Sequence, residues 1–197
     1  MSEKQSRAEA ADARRQHIVQ TAVICFIEQG FHQTSIRDIA KRAGVSLGNI
    51  YNHFDSKSAL IAEIATIEAS DLEKMQDALS AASPPRTALD SFVTRYLDYC
   101  SKPAHTALTV EILAEAVRDP KIADGFGQNR DHLLAALEGQ IAKVQQDLKA
   151  ENALAPQDCA EFILDLIEGL AMRAVFSGRK ATDAEIKALR TAIDRIL

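Results

Sequence analysis

Apolar residues recur along the chain with a helical spacing almost everywhere, and stretches that alternate apolar and polar with a period of two are nearly absent. That pattern predicts helices and no sheet. Ile18, Ala22, Cys25, Phe26 and Gln29 form one stripe. Gly30 follows them, a residue suited to the left-handed conformation that closes helices. A second, shorter helix starts after Thr34 or Ser35 and turns Ile36, Ile39 and Ala40 inward. "AGVS" breaks the chain at Gly44, and Ser46 is a natural N-cap for a third short helix from Leu47 to about His53. Asp55 or Ser56 opens a fourth, whose apolar face holds Leu60, Ile64, Ile67, Leu72 and Met75.

"SPPR" at 83–86 is the clearest interruption, because prolines cannot continue a helix but can start one. Leu89, Phe92, Val93, Tyr96, Leu97 and Cys100 give the next stripe, which "SKPAH" ends. Further helices are expected from about Ala104 to Val117, from Pro120 to about Ala150 with a kink near Gly125 and Gly127, and from Pro156 to about Ser177. Thr182 and Glu185 have capping-box spacing ahead of a last helix carrying Ile186, Leu189, Ile193 and Ile196. The expectation is an all-α protein of about nine helices. Its domains would be an N-terminal arm and helix-turn-helix over 1–57 and a bundle over 58–197.

Composition narrows the picture. Hydrophobic residues form 47% of the chain, enough for a real core, and no apolar run approaches the roughly 20 residues of a membrane span. The polar start "MSEKQSRAEAADARRQ" lacks the apolar region of a signal peptide. Cys25, Cys100 and Cys159 have neither disulfide-framework nor metal-ligand spacing, so a reducing cytoplasm and no metal are expected. Net charge is −5, yet residues 1–60 balance at +2 and residues 61–197 at −7. A mildly basic N-terminal part on an acidic body suggests a localised footprint for phosphate and argues against indiscriminate DNA coating. An enzyme finds no support: GxSxG, HExxH and Gly-rich phosphate loops are missing, the five histidines are dispersed, and no cofactor is implied.

Residues 35–53 carry the chemistry. Two short helices joined by a tight glycine-containing turn make a helix-turn-helix, whose second helix enters the major groove. Ala40 is small at the crossing, Gly44 takes the turn, and Val45 and Ile50 plug the gap. Ser46 and the free amides beside it suit a phosphate. Gly48 weakens the helix but lets backbone approach DNA closely, while Asn49, Tyr51, Asn52, His53 and Lys57 offer polar groups to bases or phosphates. The same geometry also occurs in helical cores that never meet DNA, where Tyr51 and His53 would be packing residues and Lys57 an ordinary solvated lysine.

From His17 to Leu60 the chain resembles the N-terminal domain of the TetR family of bacterial transcriptional regulators. The resemblance lies in Ile18, Ala22, Phe26, "GF" at 30–31, "TSIRDIAKRAGVS" at 34–46, "GNIYNHFDSK" at 48–57 and Leu60. It implies phosphate contacts from Ser35, Ser46, Tyr51, His53 and Lys57, and base-facing positions at Arg37, Leu47, Gly48 and Asn49. Arg37 would read guanine through a bidentate pair, or else hold a phosphate or a surface carboxylate. Phe54 would pack in the small core. The resemblance further implies a homodimer with a small-molecule effector bound in the bundle; a two-fold dimer suits a palindromic operator, and the composition adds the expectations of a cytoplasmic location and no membrane. Most such proteins repress.

Residue roles in the bundle rest on the stripes alone. The helix from Pro156 is apolar on more than one face, more than a monomer's surface helix needs. Phe162, Leu166, Gly169, Leu170 and Arg173, with Leu189 and Ile193 of the last helix, are therefore the candidate dimer interface. Phe92, Tyr96, Tyr99, Glu111, Phe126 and Met172 are the candidate lining of a pocket for an apolar or amphipathic ligand. Each could instead be plain core.

Overall fold

A computed structural model of the chain describes residues 3–150 and 153–197. Among them are nine helices and no strand: α1 (Glu3–Gln29), α2 (Ile36–Ala43), α3 (Leu47–Tyr51), α4 (Lys57–Ala81), α5 (Pro85–Cys100), α6 (Pro103–Ala116), α7 (Pro120–Leu148), α8 (Pro156–Phe176) and α9 (Asp183–Ile196). Prolines open α5, α6, α7 and α8, where a missing N–H costs nothing and the fixed φ already suits the first turn. The expected kink site in α7 is spanned without a break, since both glycines lie inside one helix. α1 begins far upstream of its first apolar stripe. The segment "EKQSRAEAADARR" consists almost wholly of good helix formers, which extends the helix without needing a buried face. Among the described residues, no helix is long and apolar enough to cross a membrane.

The chain folds as two compact units, each with its own core. The first takes the chain up to Ile67 together with Ala107–Phe126; the second takes Glu68–Thr106 and Gly127–Leu197. The division therefore falls inside α4 rather than ahead of it, and most of α6 with the start of α7 joins the first unit. The reason is packing: Ile112 and Ile122 are buried among Phe26, Ile39, Ile50, Phe54 and Leu60. In the second unit Leu89, Leu137, Ile141, Ile163, Leu164 and Ile167 are fully excluded from solvent. Each such side chain contributes about 1.5–3 kcal/mol of hydrophobic stabilisation.

Candidate nucleic-acid interface

In the first unit, three capping devices set the turn between α2 and α3. Ser35 caps α2 by accepting from the Asp38 amide, and the Asp38 carboxylate accepts from the Ser35 amide at 3.0 Å, a complete capping box. That pair holds the Asp38 carboxyl below its usual range. Gly44 ends α2 at φ +66°, a conformation costly for any residue with a Cβ, and its N–H bonds back to Ala40 and Lys41. Ser46 then caps α3 by accepting from the Asn49 amide at 3.1 Å. With Ile39, Ala40 and Ile50 buried beneath, the two helices present their polar faces outward.

Arg37, Ser46, Gly48, Tyr51 and Asn52 are exposed, and Leu47 is half-buried at the start of α3. Tyr51 shows half of its surface to solvent, far more than a packing residue would. A Cβ at Gly48 would meet nothing within 4 Å inside the protein, so no internal packing requires glycine there. Ser35 is exposed too, although its hydroxyl is already spent on Asp38. His53 is half-buried with its ring near Phe54, and Phe54 itself is core, as the sequence suggested.

Two positions differ from expectation. Lys57 is not an ordinary solvated lysine: its ammonium donates to the carbonyls of Phe31 (2.5 Å) and Thr34 (3.0 Å) and lies over the Phe31 ring. Burial lowers its pKa, opposed by the charge of Glu115. Two of its three donors thus tie the α1–α2 connection rather than facing outward. Asn49 has its Oδ1 buried without a hydrogen-bond partner, so the orientation present here does not read a base edge through that oxygen.

Glu111 and Phe126 are corrected as pocket residues. Both belong to the first unit: Glu111 accepts from the Phe31 amide at 2.8 Å and lies against Gly30, and Phe126 packs on that unit's core. Glu111 is satisfied by backbone, so it needs no ligand. In the second unit Phe92, Tyr96 and Tyr99 form one stacked ladder along α5, with neighbouring ring centroids 5.4 and 6.3 Å apart. The Tyr96 hydroxyl donates to Glu168 at 2.8 Å, and burial drives its pKa far up. Met172 is half-buried on α8.

Among the interface candidates, Leu170, Leu189 and Ile193 are corrected. They lie in the second unit's own core, which leaves them little surface for a partner. Phe162 and Leu166 are 51% and 40% exposed, and Gly169, Arg173 and Phe176 follow on the same face of α8 at spacings of three and four. The second apolar face of α8 is real, but it is narrower than expected.

With this geometry in view, comparison with known proteins decides the family. Residues 18–64 match the family described as bacterial regulatory proteins, tetR family, and residues 85–197 match the BetI-type transcriptional repressor C-terminal family. The chain belongs to the TetR family. It is 29% identical over 198 residues to the HTH-type transcriptional regulator UidR of Escherichia coli strain K12, covering 95% of this chain and 94% of that one. Among solved structures, Salmonella enterica GusR superposes with a TM-score of 0.77 at 25% identity, covering 94% of this chain and 95% of that one. A protein from Saccharomonospora viridis, solved in complex with choline, gives 0.78 at 22%, covering 93% and 96%. This TetR-family chain is thus a helix-turn-helix DNA-binding transcriptional regulator.

Sequence reasoning missed the part α6 plays in the TetR-family DNA-binding unit. Glu111 and Glu115 stand four apart on one face; the first holds the Phe31 amide, the second the His32 ring at 2.7 Å. The spacing was visible in "EILAE", but nothing local reveals that its target is a loop 80 residues earlier.

Proposed function

We propose that this regulator is a homodimeric repressor that grips a palindromic operator and lets go when a small molecule enters its bundle. The observation that carries the reading is the division of labour along 35–54. Ile39, Ala40, Ile50 and Phe54 are buried, while Arg37, Ser46, Gly48, Tyr51 and Asn52 are left outward on a capped helix pair. A helix start with free amides and polar neighbours suits phosphate, and an exposed arginine one turn away suits guanine. Arg37, Leu47, Gly48 and Asn49 are assigned to bases. Ser35, Ser46, Tyr51, Asn52 and His53 are assigned to the backbone, with Lys57 in a supporting position. The apolar stripe of Phe162, Leu166 and Phe176 supports pairing through α8, an isologous contact that matches a two-fold operator. α4 runs as one helix through the point where the units divide, which makes it the element to carry a ligand's effect. Moving such a switch from 1:99 to 99:1 takes about 5.5 kcal/mol of differential affinity.

Selection of bound duplexes from a random pool tests the reading. The expected product is an inverted repeat whose half-sites are separated by about one turn of DNA or a multiple of it. Enrichment of single, unpaired half-sites would count against the dimer, and no enrichment against sequence recognition.

A further inference from the structure

In the first unit, α1 is longer than the body it packs on. Its packed part runs antiparallel to α2. The Cys25 carbonyl accepts from the Thr34 hydroxyl at 3.2 Å, just ahead of α2, and the His17 ring lies 3.2 Å from the carbonyl of Ala43, the last residue of α2. Toward the N-terminus the last anchor is Arg15, which grips both oxygens of Glu63 at 2.6 Å and lies over the Phe54 ring. Beyond it residues 7–14 are all exposed, although the helix continues. This overhang leaves the unit at the edge that carries the turn between α2 and α3, and its eight residues advance about 12 Å.

The overhang is sorted by charge. Arg7, Ala11 and Arg14 continue, at helical spacings of four and three, the stripe of Ile18, Ala22 and Cys25 that is buried against Ile39, Ile50 and Phe54. Glu9 and Asp12 stand on the opposite side, in line with the exposed Gln16 and Gln20, and Gln16 donates to Asp12 at 3.2 Å. Where α1 passes beyond the body, the side that packs on α2 and α3 thus turns from apolar to cationic, while the acids keep to the far side. Residues 7–14 hold no apolar side chain larger than alanine, so they offer no anchor to a protein groove or a bilayer. Such a face fits a polyanion that approaches from the side of α2 and α3.

We propose that the overhang of α1 is a DNA arm: Arg7 and Arg14 hold phosphates of the duplex just outside the base pairs that α3 meets, adding affinity without reading sequence. The assignment rests on the reading of α2 and α3 as the duplex-facing pair and extends their footprint outward. Arg15, held by Glu63 and Phe54, sets the direction in which the arm leaves the unit. Each phosphate contact releases counterions, so the arm's share of the affinity falls as salt rises.

Anisotropy with the full chain tests it on a selected operator in two lengths, one ending at the half-site edges and one carrying a further turn of DNA on each side. The parent should bind the longer duplex about tenfold more tightly. Arg7→Gln with Arg14→Gln keeps the helix propensity and removes both charges. It should abolish that gain, match the parent on the short duplex, and flatten the logarithmic salt slope on the long one by about 0.9 per phosphate lost. Glu9→Gln with Asp12→Asn makes an equal change of charge on the far side and should leave the gain as in the parent. Melting of both variants should match the parent. Equal binding of the two lengths by the parent overturns the arm, as does an arginine variant that keeps the gain or loses affinity equally on both lengths. A carboxylate variant that raises the gain as much as the arginine variant lowers it overturns the arm too, because net charge alone would then explain both. A parent that holds neither duplex sinks the reading of α2 and α3 themselves, whereas one that holds both lengths alike sinks only the arm.

Discussion

The two units use polar side chains for different purposes. In the first, the polar groups nearest α2 and α3 serve the backbone: Ser35, Ser46, Lys57 and Glu111 cap helices or hold loop amides and carbonyls, while the ion pairs Arg15–Glu63 and Arg42–Glu28 lie farther out on α1, α2 and α4. In the second, charged side chains serve one another across helices, as in Arg130 of α7 with Glu168 and Asp165 of α8, or Arg86 of α5 with Asp194 of α9. A surface that must meet DNA in one orientation needs its turns fixed to within fractions of an ångström. A bundle that must respond to a ligand needs packed helices whose polar pairs can be re-made. The contrast teaches where each unit is fragile, and substitutions in either can break it.

The largest effects are expected from paired core truncations. Ile50→Ala and Leu164→Ala each remove a fully buried side chain, one per unit, and each should cost about 2–5 kcal/mol. Hydrogen exchange should localise the loss: to α2 and α3 for Ile50→Ala, with DNA binding gone and the dimer kept, and to α5 and α8 for Leu164→Ala. Loss of protection spread evenly over both units by either change would mean that they do not hold separate stabilities. Next comes the α8 face. Phe162→Asp with Leu166→Asp should weaken dimerisation by about 2–4 kcal/mol, read by sedimentation, without lowering the protection of α2 and α3. An unchanged dimer would move the interface elsewhere.

Two predictions sharpen the first unit. Arg37→Ala should cost about 1–3 kcal/mol at one base pair of the operator and little at the others. A uniform loss across all sequences would make Arg37 a phosphate ligand. Lys57→Met should cost about 1–2 kcal/mol of stability in the α1–α2 connection, because two carbonyls lose a charged donor. The salt slope of DNA binding should change by less than about one. A full unit of slope with unchanged stability would return Lys57 to the phosphates.

What the sequence revealed follows the same division. Caps, glycine turns and proline starts are local, so Ser35, Gly44, Ser46 and the Thr182–Glu185 box were all legible, and so were the helices they bound. Burial of Ile50 was expected from its place at the helix crossing, and that of Phe54 from the family resemblance. Glu111 was misread because its apolar neighbours suggested a buried carboxylate in the bundle, while its partner, the Phe31 amide, is remote in sequence. Leu170, Leu189 and Ile193 failed for another reason: periodicity says that a face is buried, not whether its own bundle or a second copy covers it.

The smallest expected effect is also the cleanest comparison between the units. Ser46 and Thr182 are both N-caps that accept from the amide three residues on, at 3.1 and 3.3 Å. Replacing either by alanine should cost about 1 kcal/mol of stability. The consequences should differ. Thr182 starts α9, where Glu185 also receives Arg173 and Arg179, so Thr182→Ala should lower melting and leave operator affinity alone. Ser46 opens a helix of only five residues whose start is assigned to phosphate, so Ser46→Ala should weaken binding to every sequence alike, by more than its stability loss explains. Equal behaviour of the two variants in DNA binding would mean that the α3 start is only a cap, and that phosphate is held by other groups of the helix pair.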